Sequence, residues 1–147
     1  MTFAIVDYRS EHAADWARLN RAWLAEGGFA VEAKDRRAID DPEGVFLADG
    51  GRIFIVEQDG QTVGCCALIR IEDGLEVAKM TVAPAARGQG LARRLLEACE
   101  AAAKRLYLET NSGLAPAIAL YESFGFVPLP ARPTPYARAD VFMEKRL

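Results

Sequence analysis

Histidine is almost missing from this chain: His12 stands alone among 147 residues. Cysteine is scarce as well, limited to Cys65, Cys66 and Cys99. No Cys/His spacing resembles a zinc site, and sequence neighbours rarely bridge without strain, so neither a disulfide framework nor a catalytic metal is expected. Long apolar runs are lacking too. The stretch from Met1 to His12 has no signal-peptide core and no later segment could span a bilayer, which points to the reducing cytoplasm and away from a membrane partner. There is no basic stripe and no run of aromatics, and the formal net charge is −3, a poor match for a nucleic-acid partner.

What is present is ordinary globular composition, 51% hydrophobic and 27% charged, at a length that suits one domain over 1–147 with a real core. The charge is unevenly spread. Residues 1–79 carry fifteen acids against nine bases, and residues 80–147 six acids against nine bases. A basic half suits an anionic cofactor, and an acidic half a cationic substrate.

Phe3, Ile5 and Asp7-Tyr8 read as a short first strand. Ser10 is positioned to cap a helix running to about Glu26, with Gly27-Gly28 ending it. Trp16 and Trp23 lie one heptad apart, a spacing that places both in the core. A short helix is expected over Asp35–Asp40. Three strands follow, Ile53–Val56, Val63–Ile71 and Leu75–Val82, joined at Asp59-Gly60 and Asp73-Gly74, both hairpin signals. A further strand is expected over Leu106–Thr110, then a helix that tolerates Pro116 in its first turn and ends at Gly125. Phe126-Val127 and Asp140–Lys145 read as closing strands. Prolines 128, 130, 133 and 135 argue against regular pairing between them.

Between the third hairpin strand and Leu106 lies the stretch on which function turns, Met80 to Ala92. Pro84 stops a strand, Gly88 and Gly90 leave backbone N–H groups uncovered, and Leu91, Leu95 and Cys99 open a helix with one apolar face. Free N–H groups at a helix N-terminus form a site for phosphate or pyrophosphate. A P-loop would need a Gly-Lys-Ser/Thr ending that is not here. A dinucleotide loop would need a small third residue where Arg93 stands.

What does fit is Arg87-Gly88-Gln89-Gly90-Leu91-Ala92, which resembles the coenzyme A-binding signature of the GNAT superfamily of N-acetyltransferases. Glu76–Val82, Leu108–Asn111 and Ala117–Phe126 resemble that family's neighbouring strands and helix in order and spacing, from about Gly51 to Val127. The resemblance implies an α/β fold: a mixed, mostly antiparallel sheet of six to seven strands with a parallel strand–helix–strand unit and flanking helices. It implies acetyl-CoA as co-substrate, with its pyrophosphate on Arg87 through Ala92 and its arm between two splayed strands, beside the backbone of Met80 and Val82.

Catalytic and pocket residues follow from the same resemblance. Asn111 would offer its amide to the cofactor arm or cap the next helix through an Asx turn. Tyr121 would protonate the departing thiolate, against the alternative of a core aromatic packed on Phe124. Glu76 would accept the proton of the attacking amine, against the alternatives of a strand residue paired with Lys79 or Arg70 and of an ordered water as base. Pocket walls are expected from Trp23 to Arg37 and around Pro133, Tyr136 and Arg138. Glu26, Glu32 and Asp35 would favour a small cationic amine as acceptor, a protein amine being the larger version. The competing class is a non-catalytic acyl-CoA-binding module, and relatives of this kind are often homodimers.

Overall fold

The computed structural model describes residues 2–147. The chain starts with strand β1 (Phe3–Asp7) and helix α1 (Ala13–Glu26), followed by helix α2 (Ala33–Asp40). A meander of β2 (Arg52–Gln58), β3 (Gln61–Ile71) and β4 (Gly74–Val82) comes next. Helix α3 (Leu91–Ala101) then leads into β5 (Arg105–Thr110), and α4 (Ala115–Ser123) into β6 (Val127–Leu129) and β7 (Val141–Arg146). These strands make a seven-stranded mixed sheet in the order β1-β2-β3-β4-β5-β7-β6, and only the β4–β5 pair is parallel.

Both faces of the sheet are covered, which explains the unbroken apolar run of β2. Phe54 and Val56 face α3 together with Cys66 and Leu68, while Ile53 and Ile55 face α1 together with Cys65 and Ala67. Side chains alternate along a strand, so adjacent cysteines end in opposite cores. Cys66 meets Cys99 of α3 at 3.6 Å between sulfurs, and burial pushes the Cys65 thiol up to about 12, consistent with packing roles. Asp59 (φ 52°) and Gly60 (φ 79°) form the two-residue turn their sequence signals. Gly74 is needed for a different reason: a Cβ there would lie 2.4 Å from the Arg105 carbonyl oxygen, where β4 and β5 come together.

Three local expectations change. Ser10 starts a 3-10 turn instead of capping α1, because the His12 ring accepts the Arg9 N–H at Nδ1 (2.8 Å) and pairs Nε2 with Glu57 (2.9 Å). Trp16 is buried as expected, but Trp23 is only half-buried and stacks on Phe29. Pro128 sits inside β6, paired opposite Met143. An edge strand allows this, because one side of it needs no donor.

Two features shape the site. The parallel register covers only Leu75–Val77 against Leu106–Leu108, although β4 runs on to Val82 and β5 to Thr110. Beyond that point the strands separate. In β4, Lys79 takes a left-handed conformation (φ 53°), and Lys79 and Met80 together oppose Cys66 in a bulge between the Cys65–Thr81 and Ala67–Ala78 pairs. A bulge of this kind turns the strand and redirects its side chains.

Candidate active site

The separation of β4 from β5 opens a cleft with two compartments. The first is lined by Met80, Val82, Arg87, Ala92, Leu114, Ala117 and Tyr121. At its loop end Gly88 (φ 82°) and Gly90 (φ 75°) are left-handed, and a Cβ on either would meet nothing within 4 Å. Glycine is required there by conformation, and open space is left over the backbone. No side chain caps α3, whose first N–H groups therefore remain available to an anion. Leu91 is buried in the core, while Gly88, Gln89 and Gly90 are exposed. These groups fit a pyrophosphate at the loop and an extended chain in the cleft.

Some side chains of the loop have protein partners. Arg87 makes a two-pronged ion pair with Glu26 at the end of α1 (2.6 and 2.7 Å), and its Nε donates to the Val82 carbonyl (2.9 Å). Gln89 accepts from Gln58 (2.9 Å) and donates to the Ala86 carbonyl (3.1 Å). Asn111 accepts the Gly113 N–H (2.8 Å) and donates to the Arg138 carbonyl (2.8 Å), the Asx-turn arrangement, so both ends of its amide are occupied.

The second compartment is lined by Trp23, Glu76, Lys79, Glu109, Asn111, Tyr136 and Arg138, and it shares Trp23, Met80, Thr81, Thr110, Leu114 and Tyr121 with the first. Tyr121 stands at the junction. Its ring packs edge-on against Phe126 (5.8 Å), and burial raises the phenol above its ordinary value. Among the described residues no group hydrogen-bonds its hydroxyl, and no buried side-chain polar atom is left sealed without a partner, so the hydroxyl opens to the cavity.

Glu76 also faces this cavity. Neither Lys79 nor Arg70 pairs with it. Burial, with Glu109 adding to it and Lys34 opposing, moves its carboxyl up to about 7.

The acids expected to face the acceptor are used otherwise. Asp35 is fully buried and bonds Lys79 and both Nη atoms of Arg138 (2.6 and 2.8 Å), and Glu32 adds a contact to Arg138 (3.3 Å). Burial alone would raise the Asp35 carboxyl, but the bonds from Arg138, Lys79 and the Glu32 N–H hold it well below the ordinary range. The Arg138 guanidinium lies over the rings of Tyr136 (4.6 Å), Phe29 (5.7 Å) and Trp23 (5.8 Å). With Glu26 on Arg87, all three carboxylates are neutralised by the protein's own bases, so they are not the source of a cationic preference. The expectation missed that their partners sit far along the chain. It also missed Glu109, whose one local signal is its position two residues after Tyr107 at a strand end.

A mixed sheet that opens between a bulged strand and its parallel neighbour, above a glycine loop and an uncapped helix, defines the fold of acyl-CoA acyltransferases. An acetyltransferase (GNAT) domain model matches residues 49–128. The chain is 38% identical over 122 residues to the uncharacterised N-acetyltransferase YjgM of Escherichia coli (strain K12), covering 75% of this chain and 73% of that protein. It superposes on an acetyltransferase of the GNAT family from Staphylococcus aureus MU50 with a TM-score of 0.87 at 19% identity, over 99% of both chains. A putative acetyltransferase from Salmonella typhimurium, solved with acetyl-CoA, shares the fold with a TM-score of 0.72 at 20% identity, over 99% of this chain and 94% of that one. The chain belongs to the GNAT acetyltransferase family and is an acetyl-CoA-dependent acetyltransferase. No helix among the described residues is long and apolar enough to cross a membrane, and no three or more acidic, His or Cys side chains among them gather into a group that could hold a metal.

Proposed function

We propose that the protein moves an acetyl group from acetyl-CoA to the primary amine of a small cationic acceptor, by direct attack. The observation that carries this is Tyr121, whose open hydroxyl lies where the donor cleft meets the acceptor cavity. Acetyl-CoA supplies an activated thioester. Its pyrophosphate would rest on the Gly88–Ala92 backbone and its arm beside Met80 and Val82, where an N–H of the unpaired β4 edge can polarise the thioester carbonyl. The amine nitrogen bonds to the carbonyl carbon, and the carbon–sulfur bond breaks. Tyr121, kept protonated by burial, gives its proton to the thiolate. Glu76, directly or through water, takes the proton that the amine releases.

The cationic preference rests on Glu76 and Glu109, carboxylates of the cavity that form no ion pair among the described residues. The experiment is release of free thiol from acetyl-CoA against a panel of amines. Turnover with cationic amines and a large loss in Tyr121→Phe are expected. Preference for anionic acceptors would refute the acceptor class, and unchanged turnover in Tyr121→Phe would remove Tyr121 from the chemistry.

A further inference from the structure

Across the parallel pair Glu76 stands opposite Tyr107, and Glu109 follows two residues further along β5. That spacing places Glu76, Tyr107 and Glu109 on one face of the sheet. Glu76 and Glu109 both line the acceptor cavity, at the point where the strands begin to part. Their surroundings differ. Glu109 accepts the Tyr107 hydroxyl at Oε2 (2.8 Å) and the Thr134 hydroxyl at Oε1, whereas among the described residues no donor holds Glu76. Two hydroxyls thus fix the Glu109 carboxylate in place on the face that Glu76 shares.

We propose that Glu109 is a positioning residue for acetyl transfer: a hydroxyl-held negative charge that draws the acceptor's ammonium into the cavity and keeps Glu76 basic enough to take its proton. The proposal rests on Glu76 as the base. The other groups around Glu76 do not supply this charge. Lys34 of α2 opposes it, Lys79 and Arg138 are tied to Asp35, and Tyr136 is neutral. Arg132 lies over the Tyr107 ring (5.1 Å), and Glu144, opposite Tyr107 on β7, is paired with Arg105.

The test is a carboxyl titration by NMR on the full chain carrying 13C at glutamate side-chain carboxyls, with Glu76→Gln identifying the Glu76 signal. Glu109→Gln is expected to lower the Glu76 midpoint by about one pH unit, and Glu109→Asp, which keeps the charge, to leave it within a few tenths. An unmoved midpoint in Glu109→Gln overturns the proposal, since a merely structural Glu109 would alter melting and not the titration. Should that variant unfold, Glu109→Ser, which also removes the charge, takes its place: the same downward movement is expected, and none overturns the proposal. The readout needs no acceptor, so it stands apart from turnover by Glu76→Gln, which tests the base itself.

Discussion

The donor cleft and the acceptor cavity share Tyr121 but are built from different materials. The donor side is mostly backbone: two left-handed glycines, an uncapped helix terminus and the unpaired edge of a bulged strand. The acceptor side is mostly side chains drawn from α1, β4, β5 and the segment before β7, with Lys79 and Arg138 held from behind by the buried Asp35 of α2. Backbone groups are placed by the fold itself and carry little dependence on residue identity. Charged side chains must find partners across the chain: Asp35 and Arg138 are 103 positions apart. On the proposed reading, donor binding therefore depends little on which side chains line its cleft, and acceptor binding depends on particular charged pairs.

Replacing the shared residue gives the largest expected effect. Tyr121→Phe should lower turnover by about 10²–10⁴, the usual span for a general acid, with calorimetric affinity for coenzyme A unchanged. An equal loss of donor affinity would assign Tyr121 to the cleft alone.

Next comes the cluster that shapes the acceptor side. Asp35→Ala leaves the largely buried Lys79 without its carboxylate and Arg138 with Glu32 alone, and should cost about 3–5 kcal/mol in denaturant unfolding. Because the folded Asp35 carboxyl sits below its ordinary value of 3.8, its contribution is present above that pH and is lost as pH falls below it. An unfolding free energy that did not decline more steeply there in wild type than in Asp35→Ala would count against this role.

A pH profile separates the two sides again. With the Glu76 carboxyl raised to about 7, kcat/KM should fall below that pH by about tenfold per unit, since the protonated acid accepts nothing. Donor affinity should lack that limb.

The smallest effect belongs to the donor side. The Glu26–Arg87 pair is half-exposed, with side chains 48% and 44% accessible, and such pairs contribute little. Glu26→Gln frees Arg87 for the donor and should tighten coenzyme A binding by about two- to fivefold, with acceptor selectivity unchanged. Weaker binding would mean that Glu26 orders the loop instead.

Much of the donor side was legible because its signals are local. Gly88, Gly90 and the apolar face of α3 lie within a few residues of one another, and glycine at left-handed φ announces itself in any context. Tyr121 is recognisable from its surrounding sequence, which includes its ring neighbour Phe126. Heptad spacing misled for Trp23, since periodicity gives the buried face of a helix but not where a cavity interrupts that face. Proline misled at Pro128 because an edge strand is defined by the absence of a neighbour, which no local pattern reports.

By itself, then, the order of residues determined the meander, the parallel crossover, and the glycine loop that opens α3. Each of these depends on backbone preference and on periodicity over short distances. Only the tertiary structure decided which carboxylates are free. Nothing in the sequence around Glu26, Glu32 and Asp35 or around Glu76 and Glu109 tells which of them will meet a base. They differ in what folding brings beside them: Arg87, Lys79 and Arg138 for the first group, hydroxyls on Glu109 and no ion pair on Glu76 among the described residues for the second. Charge compensation acts through space, and the chemistry of the acceptor cavity rests on it.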